Sequence, residues 1–334
     1  MQRAIKFPKA LKRGDVVAIV APSGPLESSL LEDAKAFLEA RGLVVQLRSD
    51  ADSRLRYLAG SDDRRVEELT AVLRDPEIKA IFLARGGYGT QRIIPRLPLR
   101  EDIEPKAVVG FSDNTALLGA FREIAGWATL HGPHIRSGTP EETADSEELL
   151  SCLGLFGEPT LPRFSGLDTI KGGRALEAPL CGGCLSLLSS SIGTPYAFTM
   201  AGHILFIEEI GEYPYRIDRM LWHLLNSSAL EGVKAVVFGE PAAFLPEGIG
   251  AEDISPVIEE FAEMVDFPVL TGLPCGHVSP NRTLPFGPIA RLDPGAGALE
   301  YLEPVVRFTS PLWTAPCFGL RGSRNSSMAK GFRG

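Results

Sequence analysis

Residues 16 to 121 alternate short, mostly apolar runs with stretches of helical periodicity, and no other feature restricts the fold as much. Val16-Val-Ala-Ile-Val20 reads as a strand buried on both faces, followed by the turn Ala21-Pro-Ser-Gly-Pro25. Leu30 to Arg41 reads as an amphipathic helix ended by Gly42. Leu43 to Leu47 returns as a strand, and Asp62 to Arg74 is a helix with Val66, Leu69, Val72 and Leu73 on one face. Lys79 to Ala84 is a third strand opening into Arg85-Gly-Gly-Tyr-Gly89, Gln91 to Leu97 a short helix, and Ala107 to Gly110 a fourth strand. Strands separated by helices of this length form right-handed βαβ units on a parallel sheet. Function in such sheets collects at the carboxyl ends of the strands. Both Arg85–Gly89 and Ser112 lie there, after consecutive strands.

The second half keeps the α/β character but not the regular alternation. Ser137 to Leu150 is polar and acidic, and Glu158 to Gly173 is rich in Pro and Gly. The expected organisation is therefore an N-terminal α/β domain over 1–136, a connection over 137–173 and a C-terminal domain over 174–308. Within the last, His203 to Ile207 and Ala235 to Phe238 read as strands. Tyr215 to Leu225 and Ile254 to Met264 read as helices. Ala290 to Tyr301 reads as a hairpin turning at Asp293-Pro-Gly-Ala-Gly297. The tail 309–334 carries Arg321, Arg324, Lys330 and Arg333 with no acidic residue, has no periodicity, and reads as flexible.

Charge and cysteine content narrow the partners. The formal net charge is −8, which argues against nucleic acid or an anionic membrane surface as partner. No apolar run is long enough to span a bilayer, and the basic start lacks the apolar stretch of a secretory signal. Five cysteines, an odd number in a chain of 334 residues, favour a reducing compartment, so the cytoplasm is expected. Cys181-Gly-Gly-Cys184 has redox or zinc spacing, but no second ligand pair accompanies it. Both cysteines read as small core residues, and no metal site is expected.

Ser112 follows the apolar run Ala107–Gly110 and precedes a helical pattern that starts near Asn114. A serine at such a junction can expose its hydroxyl at a sheet end, and the next N–H can hold a developing oxyanion. Asn114 stands where Gly-x-Ser-x-Gly has its second glycine, and on this segment alone a helix cap is the simpler reading. A nucleophilic serine needs a base, and the base needs an orienting acid. Of the histidines, His203 begins a buried strand and His223 lies among apolar helix neighbours. His131 and His134 follow a strand-like segment, whereas His277 lies in the Pro- and Gly-dense loop Leu273 to Arg282. His277 and His131 compete closely. Glu208 and Glu209 both end an apolar strand, and since adjacent strand residues point to opposite faces only one can face a given histidine. The Arg85–Gly89 turn fits a phosphate nest or an oxyanion donor beside Ser112, and matches no nucleotide-binding pattern.

The motifs taken together resemble the LD-carboxypeptidase family, serine peptidases that include muramoyltetrapeptide carboxypeptidases and microcin C immunity peptidases. The matching pieces are Gly14 to Gly24, Tyr57-Leu-Ala-Gly-Ser-Asp62, Ile78 to Gly89, Gly110-Phe-Ser-Asp113, His131-Gly-Pro133, Gly193-Thr-Pro-Tyr196, Glu208 to Leu221 and Gly276-His277, in family order. The resemblance implies Ser112 as nucleophile, His277 as base and Glu208 as orienting acid, with the N–H groups of Gly87 and Asp113 as oxyanion hole. It implies a flavodoxin-like N-terminal parallel sheet with helices on both faces, a smaller C-terminal α/β domain, a site between them, and a homodimer. It implies no metal or cofactor.

Phe111, Glu209 and Cys184 stand where the family often has Tyr, Asp and Asn. The expected substrate is a muropeptide, cleaved at the bond between an L-centre and a terminal D-Ala, with Arg85 as a candidate partner for the substrate carboxylate. The alternatives are a microcin-type peptidase acting on an acyl-sulfamoyl adenylate, and a non-catalytic binder of a small anion or nucleotide at the Arg85–Gly89 turn.

Overall fold

The computed structural model describes residues 4–136, 138–246 and 254–308. The first half folds as βαβ units: β1 (Val16–Val20), α1 (Ser28–Ala40), β2 (Val44–Leu47), α2 (Asp62–Arg74), β3 (Ile78–Leu83), α3 (Thr90–Ile93), β4 (Ala107–Gly110), α4 (Thr115–Ala120) and β5 (Thr129–His131). These strands are parallel in the order β2-β1-β3-β4-β5, the flavodoxin-like order. The reason for wholly apolar strands is visible in β1. Val17 and Ile19 join a core with Leu31, Phe37 and Leu38 of α1, whereas Ala18 and Val20 join one with Leu69 and Leu73 of α2. Both faces are covered, so Val17 to Val20 are all buried, and each large apolar side chain contributes roughly 1.5–3 kcal/mol.

The second half starts with α5 (Pro140–Cys152), β6 (Arg163–Ser165), β7 (Asp168–Lys171), β8 (Leu176–Cys184), α6 (Leu185–Ser191), β9 (Ile204–Glu208), α7 (Pro214–Asn226) and β10 (Ala235–Gly239). It ends with α8 (Ser255–Glu263), β11 (Val269–Leu273), β12 (Leu284–Phe286), β13 (Ile289–Asp293) and β14 (Ala298–Tyr301). Eight strands order as β6-β14-β13-β8-β9-β10-β11-β7, with a parallel centre β8-β9-β10-β11 and antiparallel flanks. The core of this sheet is continuous with the α2 and α4 face of the first. At the junction the Thr115 hydroxyl accepts a hydrogen bond from the Cys184 N–H at 3.1 Å.

Two differences from the sequence expectation concern the connection 137–173 and the far half. The connection is structured. Thr139 and Glu142 form a reciprocal capping box that starts α5, and Leu149 and Leu150 anchor that helix in the α1 core. β6 and β7 then close the two edges of the eight-stranded sheet. Edge strands bury at most one face, and along these two only Phe164 is fully buried, so neither shows an apolar run. Their conformation comes from pairing with β14 and β11. β12, from the far half, joins the first sheet antiparallel to β5, with Leu284 opposite His131. The expected tail 309–334 lies outside the described residues.

Candidate active site

β4 is buried to its end at Gly110, and Phe111 continues extended. Ser112 then adopts φ +63, a left-handed conformation that costs a non-glycine residue about 1–3 kcal/mol. A single 3₁₀ turn over Ser112–Asn114 leads into α4. This sharp strand-to-helix turn lifts the hydroxyl out at the sheet end. The turn closes against Gly86, where a Cβ would stand 2.5 Å from the Ser112 Cβ, so only glycine fits there. Asn114 has its own use: its Nδ2 donates to the Arg85 carbonyl at 3.1 Å, tying the start of α4 to the end of β3. The Ser112 hydroxyl therefore does not act as a helix cap. It donates to His277 Nε2 at 3.0 Å.

His277 lies in the loop after β11, and its Nδ1–H donates to Glu208 Oε2 at 2.6 Å. Glu208 is the last residue of β9, with 1% of its surface exposed. Burial opposes the protonated form of His277, but the hydrogen bond and charge of Glu208, with the charge of Glu209 behind it, outweigh burial and hold the imidazole above its ordinary value. The bond to Glu208 also sets the tautomer, leaving Nε2 free to accept the serine proton. Loop residues keep His277 in place: Gly276 N–H donates to Asn281 Oδ1 at 2.8 Å, and Asn281 N–H donates to Asp145 Oδ2 on α5 at 2.8 Å. Arg282 of the same loop forms a two-pronged pair with Glu148 on α5.

The competing residues do other things. Glu209 points to the opposite face, where it accepts the N–H groups of Ser186 and Ile210 at 2.8 and 2.9 Å and the Cys184 thiol at 3.2 Å. It caps the start of α6, and burial pushes its carboxyl up. His131 is buried against Phe111, Phe206 and Phe286, with its pKa pushed down to about 4 by burial. His134 stacks on Phe111 with ring centres 4.4 Å apart and is pushed down to about 3, again by burial first. His203 accepts from Arg122, and His223 pairs with the Ser189 hydroxyl at 2.8 Å. Cys181 and Cys184 are free and buried in β8. Arg85 turns one guanidinium nitrogen to the Pro25 carbonyl at 2.6 Å. Among the described residues no group of three or more His, Cys, Asp or Glu could hold a metal ion, and no helix is long and apolar enough to cross a membrane.

The two candidate oxyanion residues border Ser112 from both sides. Asp113 follows it directly. Gly87 follows Gly86, whose added Cβ would stand 2.7 Å from the Ser112 Oγ and 3.4 Å from the Asp113 N. The Asp113 carboxylate faces inward, accepting the Ser23 hydroxyl at 2.5 Å and the Thr90 N–H at 3.0 Å. Next to His277 a cavity of about 180 Å³ opens between Phe111, His134, Arg136, Asp145 and Asn281. A larger hollow of about 350 Å³, around Lys106, lies at the opposite ends of β3 and β4 and touches none of these groups.

Sequence reasoning missed Asp145, Asn281 and the side-chain role of Asp113. Asp145 is hard to see because it belongs to an acidic segment in which every carboxylate looks solvated. The one local sign at Asp113 is its place directly after the candidate nucleophile.

The sequence pattern of the LD-carboxypeptidase N-terminal domain matches residues 17–132, and that of the C-terminal domain matches residues 177–292. A probable murein peptide carboxypeptidase of Bacillus subtilis is 35% identical over 293 residues, covering 86% of this chain and 91% of the relative. The solved structure of a muramoyltetrapeptide carboxypeptidase from Oxalobacter formigenes is similar at 29% identity and TM-score 0.72, covering 86% of this chain and 97% of that one. That of an MccF-like protein from Bacillus anthracis is similar at 25% identity and TM-score 0.76, covering 88% of this chain and 98% of that one.

Proposed function

This chain belongs to the LD-carboxypeptidase family and is a serine-type peptidase, and from that premise we propose that it hydrolyses the bond between an L-centre and the terminal D-Ala of a murein tetrapeptide. The observation that carries the reading is the hydrogen-bonded row Ser112 Oγ, His277 Nε2, His277 Nδ1, Glu208 Oε2, with steps of 3.0 and 2.6 Å. The Ser112 oxygen attacks the scissile carbonyl while His277 Nε2 takes its proton. Glu208 stabilises the imidazolium without taking a proton itself. The tetrahedral oxyanion is held by the N–H groups of Gly87 and Asp113. Its collapse expels D-Ala, whose amine leaves with the proton from His277, and an acyl-enzyme remains. Water, deprotonated by His277, then attacks the ester, releasing the shortened peptide and restoring Ser112. The same reading has the protein act in the cytoplasm, as the odd cysteine count suggests, and, on the resemblance alone, as a homodimer with no cofactor.

The test is incubation of the purified protein with disaccharide tetrapeptide, following free D-Ala by mass beside Ser112→Ala. Wild type is expected to release D-Ala, and Ser112→Ala to lose about 10⁴-fold or more in kcat. No release by wild type sinks the substrate assignment. Equal release by the variant sinks the mechanism. A parallel arm offers an aminoacyl-sulfamoyl adenosine, and turnover of that compound alone selects the microcin-type reading.

A further inference from the structure

Arg65 is the largest fully buried side chain among the described residues, at 0% exposure, and the mechanism above does not use it. Burying a guanidinium is costly unless its donors are matched, and here both terminal nitrogens are bonded while Nε has no hydrogen-bond partner. Its position follows from the motif around Asp62. Ser61 caps α2 by accepting the Arg64 N–H at 3.2 Å, and Asp62 and Arg65 then lie one turn apart on one helix face. Arg65 Nη2 donates to Asp62. Its Nη1 donates to two backbone carbonyls, Pro22 at 2.6 Å and Gly89 at 2.9 Å.

Those carbonyls belong to the turns after β1 and β3, the adjacent strands at which the order of the first sheet reverses. The two turns are also joined directly. Gly24 N–H donates to the Gly86 carbonyl at 3.0 Å, and the Asp113 carboxylate takes Ser23 from one turn and Thr90 from the other. Arg65 and Asp113 thus grip the segment Gly86–Thr90 by its far end while Gly24 holds its near end, with Gly87 between them. The segment has three glycines, and its own inward side chain is at the far end, where the buried Thr90 hydroxyl donates to the Asp113 carbonyl at 2.7 Å; Gly86 and Gly87 have no side chain to hold them. Gly89 is shaped around the cation, since a Cβ there would stand 2.6 Å from Arg65 Nη1.

We propose that Arg65 is a positioning residue for the reaction: by tying the Pro22 and Gly89 carbonyls together it holds the Gly87 N–H where the oxyanion forms. Oxyanion donors act through preorganisation, and a glycine turn without this tie places its N–H over a range of positions. The inference rests on the serine mechanism proposed above, so its test must separate the two.

The probe is a fluorophosphonate, which phosphonylates the serine with loss of fluoride and places its P=O oxygen where the oxyanion would lie. Labelling of Ser112 is timed for the full chain, for Arg65→Met, Arg65→Lys and Asp62→Asn, together with kcat and KM for D-Ala release and the thermal midpoint. Folded Arg65→Met is expected to label about 10²-fold more slowly, with a similar fall in kcat and KM within about twofold. Arg65→Lys, which keeps the charge but not the fork, recovers part of that loss. Wild-type labelling rates in folded Arg65→Met overturn the proposal. Should Arg65→Met not fold, Asp62→Asn decides: labelling slower by about threefold to tenfold at unchanged KM supports the tie, and an unchanged rate overturns it. A wild-type protein that does not label at Ser112 removes the serine mechanism itself, and the role of Arg65 with it.

Discussion

The two halves of the candidate site are held in place by different means. Ser112 is placed from within one sheet, by the ends of neighbouring strands β3 and β4, a glycine-lined turn and a strained φ. His277 takes its orienting bond from Glu208 in its own sheet, but its loop is steadied from outside that sheet. Its loop follows β11, but the residues that steady it, Asp145 and Glu148, lie on α5, which packs on the first sheet. The proposed nucleophile is a local device and the proposed base a long-range one. A site built this way has a fixed nucleophile, while the alignment of the base reports how the two sheets sit against each other.

The strongest test of that contrast is at the acid. Glu208→Gln is expected to lower kcat by about 10³–10⁴-fold, because the imidazolium loses its counter-charge and the tautomer its anchor. Glu209→Gln, one residue away, should leave the chemistry within about tenfold and instead cost about 1–3 kcal/mol in the unfolding free energy, since an amide cannot replace all three bonds of the buried cap. Equal kinetic losses in both would show that the facing of β9 is misassigned. The pH profile sharpens the same point. His277 must be neutral to accept the serine proton, so kcat/KM falls as pH drops through its pKa. That limb lies above the ordinary histidine value of about 6.5. Without the charge of Glu208, burial prevails and the limb moves to lower pH in Glu208→Gln.

On the nucleophile side, Gly86→Ala forces a methyl into Ser112. The expected loss is about 10²-fold in kcat, read from D-Ala release, with a destabilisation of about 1–3 kcal/mol read from urea unfolding. The smallest effect is expected on the base side. Asp145→Ala removes the acceptor of the Asn281 N–H and should lower kcat by roughly tenfold with KM little changed, because His277 loses support rather than contact. If Asp145→Ala matches Gly86→Ala in kcat, the base is no more loosely held than the nucleophile, and the contrast fails.

Much of this was legible in the chain. The apolar runs of β1 and β4, and of β3 from Ala80 to Leu83, with amphipathic α1 and α2 between them leave little besides a parallel, doubly covered sheet, because only burial on both faces accounts for them. The order of motifs also carried the family. The edge strands β6 and β7 were not legible, since one buried face and mostly exposed polar residues look like loop. Nor was β12, a three-residue strand whose sheet depends on a partner about 150 positions earlier in the chain.

At the site the same division holds. The residue types and the turn at Ser112 could be read locally, as could the restriction that Glu208 and Glu209 face opposite ways. Which of the two faces His277, and whether His277 or His131 stands within reach of Ser112, are ties for residue-level reasoning, and on the sequence only the family resemblance separates them. Distances of 2.6 and 3.0 Å between groups 69 and 165 positions apart depend on how two sheets pack. Periodicity and turn chemistry act over a few residues, and they dictate the elements and the strain at Ser112. Hydrogen bonds such as Asn281 to Asp145 and Arg65 to Pro22 and Gly89 join segments that only the packed core brings together, so those remained for the tertiary structure to decide.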